Sequence, residues 1–166
     1  MRTKIALLSG VIILILINWS IYSKEKHLSE GKVAYLELAP VDPRSLMQGD
    51  YMALRFSLAN KISAKHNIKQ SKEIDGFVVV TLDDKNIASF SRLDNNSNLE
   101  DNELLMHYRI RDSRIKFATN AFFFQEGNAS EFEKAKYGQF RVNNKGDLLL
   151  VSMHDKDLII LGNNQR

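Results

Sequence analysis

The 166-residue chain predicts a mainly β, α+β fold: a small antiparallel barrel-like or sandwich domain with one or two short helices, preceded by one transmembrane helix. Three observations carry this. An uncharged apolar stretch fills residues 5–23. From residue 33 onward, short apolar runs, several of them alternating, are separated by turn residues. Only the segments 59–72 and 128–138 carry helical spacing after the first stretch.

The first stretch is centred on Val11, Ile12, Ile13, Leu14, Ile15, Leu16 and Ile17. As a helix, 5–23 spans about 28 Å at roughly 1.5 Å per residue, close to the hydrocarbon thickness of a bilayer. Its backbone bonds are satisfied internally, so lipid accepts it. Trp19 and Tyr22 stand at one end, where amphipathic rings prefer the interface. No small-x-small cleavage pattern follows at 18–23, which argues for a retained anchor. Arg2 and Lys4 before it balance Lys24 and Lys26 after it, and the terminal amino group tips the orientation towards N-terminus inside. The expected organisation is a cytoplasmic tail at 1–4, an anchor at 5–23, a polar linker at 24–31 and a soluble domain at 32–166. In a bacterium this puts the domain in the periplasm, on the inner membrane.

Those four basic residues, offset by Glu25, account for the entire formal charge of +3. The soluble domain is neutral, so the high pI is weak evidence for nucleic-acid binding, and no nucleic-acid partner is expected. Cysteine is absent, which excludes disulfides, thiol nucleophiles and cysteine-ligated metals.

Strands are expected at 33–38, 51–58, 77–82, 87–93, 104–110, 121–125, 140–143, 148–153 and 158–161. In 51–58, Met52, Leu54, Phe56 and Leu58 share one face. The run Phe77, Val78, Val79, Val80, Thr81, Leu82 reads as a strand buried on both faces. Asp83 to Asn86 is a turn, and Asn144, Lys145 and Gly146 form a hairpin signal. One helix is marked by Asn128 as cap with Glu131 three residues later, by acid-first pairs of Glu131 with Lys134 and Glu133 with Lys136, and by Gly138 as terminator. On a second helix over 59–72, Lys61, Lys65, Lys69 and Lys72 would line one face, as a solvated stripe or a contact with anionic head groups.

The densest local signal is the corner from Pro40 to Tyr51. Pro40 and Pro43 fix the chain, Asp42 with Pro43 suits the start of a turn, and Gly49 supplies a close approach before the next strand. Asp42, Arg44 and Asp50 then gather near the end of two strands. A second cluster runs from Gln125 and Glu126, just before the helix at Asn128, to Tyr137 and Arg141 after it. His27, His66, His107 and His154 lack ligand spacing, and no metal or cofactor is expected. Asp94 to Asn98 opens like a calcium loop, but Leu99 and Leu105 occupy the positions that need Gly and Glu.

Gly49-Asp50-Tyr51-Met52-Ala53-Leu54-Arg55-Phe56 resembles the GDYXXLXY motif of a family of bacterial membrane-anchored proteins, with Phe56 in place of the last Tyr. The preceding Val41-Asp42-Pro43-Arg44 is similar to that family too. So are Phe123-Phe124-Gln125-Glu126-Gly127 and the stretch Glu133-Lys134-Ala135-Lys136-Tyr137-Gly138-Gln139-Phe140-Arg141-Val142. The resemblance implies an N-terminal anchor, a domain outside the cytoplasmic membrane and a neighbouring polytopic membrane protein as partner. It implies no reaction. A fainter likeness to leader peptidases rests on Leu46-Met47-Gln48-Gly49-Asp50, but no Ser stands between Lys32 and Asp42 to act as nucleophile. The expectation is a binding or accessory module acting through Asp42, Arg44, Gly49, Asp50, Tyr51, Gln125, Glu126, Tyr137 and Arg141. The alternative is an envelope hydrolase using Asp42, Asp50 or Glu126 as acid or base.

Overall fold

The computed structural model describes residues 2–39, 47–48, 51–65, 74–112 and 114–162. Helix α1 runs Arg2–Glu30, 29 residues. Its aliphatic residues occupy every face, and those between Leu7 and Tyr22 are exposed to 48% or more. The segment Leu7–Glu30 is long and apolar enough to cross a membrane. The polar stretch expected as a linker continues this helix, supported by the i,i+4 pair Lys26–Glu30 at 3.7 Å. The helix closes at Gly31, whose amide donates to the His27 carbonyl at 3.0 Å.

Three antiparallel sheets follow. The first has the order β1 (Lys32–Glu37), β9 (Tyr137–Val142), β10 (Leu148–His154), β11 (Ile160–Leu161). The second has the order β5 (Ala88–Leu93), β4 (Ile74–Leu82), β6 (Glu103–Arg111), β7 (Arg114–Phe117). The third is short: β2 (Met47–Gln48), β3 (Tyr51–Ala53), β8 (Ala121–Phe123). The strands curl as a half-barrel. A parallel bridge between Tyr35 and Ile87 joins the first sheet to the second, with the Tyr35 amide 2.8 Å from the Asn86 carbonyl. Helix α2 (Ser57–Lys65) packs against β1, β5 and β7.

The core lies where the alternating faces meet. Ala34, Leu36 and Leu38 point in from the β1 side, Leu104, Met106, Tyr108 and Ile110 from β6, and Phe140 and Val142 from β9. Val78, Val79 and Val80 are fully buried in β4, which lies between β5 and β6. The β9–β10 hairpin turns through Asn143, whose side-chain oxygen accepts the Lys145 and Asp147 amides at 2.9 Å each. Gly146 (φ +83°) sits against the Leu105 carbonyl and the Phe77 ring, where a Cβ would be both strained and crowded.

Further segments differ from expectation. Burial alternates from Tyr51 through Leu58, but the strand ends at Ala53. Phe56 makes one bridge to Leu38, and the chain then turns into α2 at Ser57, whose hydroxyl donates to the Leu38 carbonyl at 3.3 Å. The helix at Asn128 is a single turn, α3 (Ala129–Phe132). Asn128 has φ −93° and ψ 11° and makes no side-chain cap bond, because its backbone is not in the extended conformation that a cap requires. Neither acid-first pair forms; Lys136 reaches Glu37 on β1 at 2.9 Å instead. That bond holds the Lys136 ammonium above its usual range. Gly138 lies inside β9 rather than ending a helix. On α2, Lys61 is exposed, while Lys69 and Lys72 fall outside the described residues.

Candidate functional site

The two family-like stretches meet. Strand β3 pairs with β8 in the register Tyr51–Phe123, Met52–Phe122 and Ala53–Ala121. The Tyr51 ring, half-buried, lies 5.8 Å from the exposed Phe123 ring. Two residues beyond Leu54, Phe56 is 3% exposed and wedged between Phe140 at 5.4 Å and Phe117 at 6.1 Å, both edge to face. Gly138 makes room for this cluster: a Cβ there would stand 3.4 Å from Phe56 and 3.2 Å from Phe140. Met52, Leu54 and Phe56 are thus core residues, and among the described residues of this stretch only Arg55 is exposed.

Arg55 opens onto a cleft of about 500 Å³ between α2 and β7. Leu54, Phe56 and Phe117 form its floor, and Arg55, Arg114 and Lys116 form a cationic rim with Asn60. Among the described residues no carboxylate lines it. Lys116 shares its charge with Asp112 at 3.5 Å, while Arg55 and Arg114 have no ion-pair partner among the described residues. An apolar floor with unpaired guanidinium groups suits an acidic or amphiphilic binding partner.

Asp42, Arg44, Gly49 and Asp50 lie outside the described residues. Gln125 and Glu126 are exposed in the turn after β8, where the Gln125 carbonyl accepts the Asn128 amide at 3.1 Å. Tyr137 is half-buried at the start of β9, paired in register with Glu37 and His154.

Arg141 has a different task. Its Nη1 donates to the Gly31 carbonyl at 3.0 Å, and its own carbonyl accepts His27 Nε2–H at 3.0 Å. Gly31 packs so tightly that a Cβ would lie 2.6 Å from the His27 carbonyl and 3.0 Å from Arg141 Cβ. These contacts clamp the end of α1 to β9.

A buried polar network escaped the sequence reading. Ser152 Oγ lies 2.9 Å from His154 Nε2 and 2.7 Å from Gln139 Oε1, and His154 Nδ1 faces the Leu158 carbonyl at 2.9 Å. Ser152 is 2% and His154 6% exposed, so this Ser–His pair is sealed from substrate. Its present effect is to satisfy buried polar atoms and hold the Leu158 loop under β10. The only sequence signal was the same-face spacing of Ser152 and His154.

The loop that starts like a calcium site closes around a guanidinium. Arg92 reaches Ser97 Oγ at 3.1 Å and the Asn98 carbonyl at 3.3 Å, and it hydrogen-bonds Glu103. That bond, with help from the Glu100 amide, holds the Glu103 carboxyl below its ordinary range against the opposing effect of burial. Among the described residues no cluster of three or more His, Asp or Glu is placed to hold a metal.

No curated protein and no solved structure matches the chain. The family model described as GDYXXLXY protein matches residues 13–153, which include both stretches that meet at β3 and β8. The chain therefore belongs to the GDYXXLXY protein family.

Proposed function

We propose that the protein is a single-pass inner-membrane protein whose β domain lies in the periplasm and binds a neighbouring polytopic membrane protein. The observation that carries this reading is the clamp between α1 and β9. A domain on a flexible linker samples many orientations; one fixed to its anchor by His27, Gly31 and Arg141 presents the same surface at the same height above the bilayer. Such fixed presentation favours a partner held in the same membrane, because little orientational entropy is lost on contact. The cleft beside Arg55 is the contact surface: among the described residues its rim carries cations and no carboxylate, and its floor is apolar.

The test is photo-crosslinking in native membranes from positions 55 and 116. Adducts with one integral membrane protein, lost on Arg114→Glu, are the expected result. Adducts confined to soluble proteins, or insensitive to Arg114→Glu, would overturn the reading.

A further inference from the structure

A second cavity, of about 410 Å³, lies where α1 meets the domain. Its helix side is Ser23, Lys24 and His27, and its domain side includes His107, Arg109 and Asp147. We propose that this cavity receives the phosphate of an anionic phospholipid head group. The proposal rests on the reading that α1 spans the bilayer.

Position is the first argument. Trp19 and Tyr22 mark the interfacial end of the apolar stretch. Lys24 is five residues past Trp19, about 8 Å along the helix at roughly 1.5 Å per residue. The head-group layer is about 5–8 Å deep on each side of the hydrocarbon. The cavity therefore opens at the level of the lipid phosphates, and one wall is the anchor itself.

Charge is the second. Neither Lys24 nor Arg109 has an ion-pair partner among the described residues, and both are exposed. Arg109 spends one weak bond on the Ala118 carbonyl at 3.3 Å and keeps its other donors. Among the described residues the lining contains one carboxylate, Asp147, which accepts a hydrogen bond from Asn143 Nδ2 at 2.9 Å. His27 is held by its bond to the Arg141 carbonyl, so the helix wall is fixed relative to Arg109. Two cations on rigid supports face one cavity, the arrangement a phosphate diester needs.

Size is the third. The volume falls within the roughly 300–1,000 Å³ of small-ligand sites. A phospholipid also has somewhere to put its chains, since the aliphatic face of α1 below the cavity is uncovered. A soluble anion would use only the polar part.

The experiment places the full-length chain in nanodiscs of mixed phosphatidylcholine and phosphatidylglycerol, then measures by native mass spectrometry the lipids retained on release. Wild type is expected to retain phosphatidylglycerol over phosphatidylcholine. The double variant Lys24→Gln, Arg109→Gln is expected to lose this preference by at least tenfold, at about fivefold for each cation. Lys61→Gln, on α2 and outside the cavity, leaves it unchanged. Arg109→Lys, which restores a charge with little change in packing, keeps at least half of it. Equal preference in wild type and the double variant would overturn the proposal. So would displacement of the lipid by millimolar inorganic phosphate, which would make this a soluble-anion site. Recovery of the chain outside the discs would instead refute membrane insertion. Recovery inside them without lipid preference would refute the head-group site alone.

Discussion

Replacing Phe56 by Ala tests what the GDYXXLXY stretch does for the fold. The ring is 3% exposed and meets two other rings edge to face. Burying about 150 Å² of aromatic surface at about 25 cal/mol per Å² is worth about 4 kcal/mol. That agrees with the roughly 3–5 kcal/mol measured when buried Phe is cut to Ala in other cores. A domain has only about 5–15 kcal/mol in total, so Phe56→Ala should remove much of its stability. The assay is urea unfolding of the full chain in detergent micelles, followed by far-UV circular dichroism. With a slope of about 2 kcal/mol per M, the midpoint should fall by about 2 M. Arg55→Ala, one residue earlier and exposed, should change stability by less than about 0.5 kcal/mol. A loss below about 1 kcal/mol for Phe56→Ala would refute the assignment of this position to the core, and with it the account of how the two motifs join.

Three further outcomes follow from the same contacts. Gly138→Ala sets a Cβ at 3.2 Å from Leu150 and Phe140; about 1–3 kcal/mol of stability should be lost by overpacking, and less than additively with Phe56→Ala, as chemical unfolding of the double variant would show. Arg141→Ala removes the donor to the Gly31 carbonyl. Because the chain has no cysteine of its own, spin labels at Tyr22→Cys and Lys145→Cys can report the angle between helix and domain. Their distance distribution should broaden in Arg141→Ala, and an unchanged width would deny the clamp. Glu103 has its carboxyl held below its ordinary value near 4.5, chiefly by its bond to Arg92. Between the two values the unfolded state binds the proton and the folded state does not, so this stability is present above the ordinary value and is lost as pH falls through the lowered one. Glu103→Gln should flatten that acid limb in denaturation series run at stepped pH; an identical limb would show that Glu103 does not contribute it.

Elements defined by neighbouring residues were legible. The strand at 33–38, the buried valines of β4 and the hairpin at Asn144 to Gly146 follow from alternation and turn chemistry within a few residues. Features set by distant partners were not. The cues around Asn128 are sound for an isolated helix, yet Lys136 is drawn to Glu37 and Gly138 into β9, leaving one helical turn. The alternation from Met52 to Leu58 survives a change from strand to helix because the first turn of α2 still directs Leu58 inward. Arg141 could be picked out from the family-like stretch, but its bond to Gly31, 110 residues earlier, depends on the β1–β9 register. The Gln139–Ser152–His154 network needs a cross-strand register interrupted by a bulge. The Arg55 cleft draws its walls from separate segments, and no local pattern announces it.

In the proposed arrangement α1 lies in lipid with the domain outside. The direct measurement is labelling of single cysteines by a membrane-impermeant maleimide in intact spheroplasts. Lys145→Cys should label before lysis, while Ile13→Cys should stay protected until detergent is added. Labelling of Ile13→Cys without detergent, or protection of Lys145→Cys until the cells are broken, would contradict it.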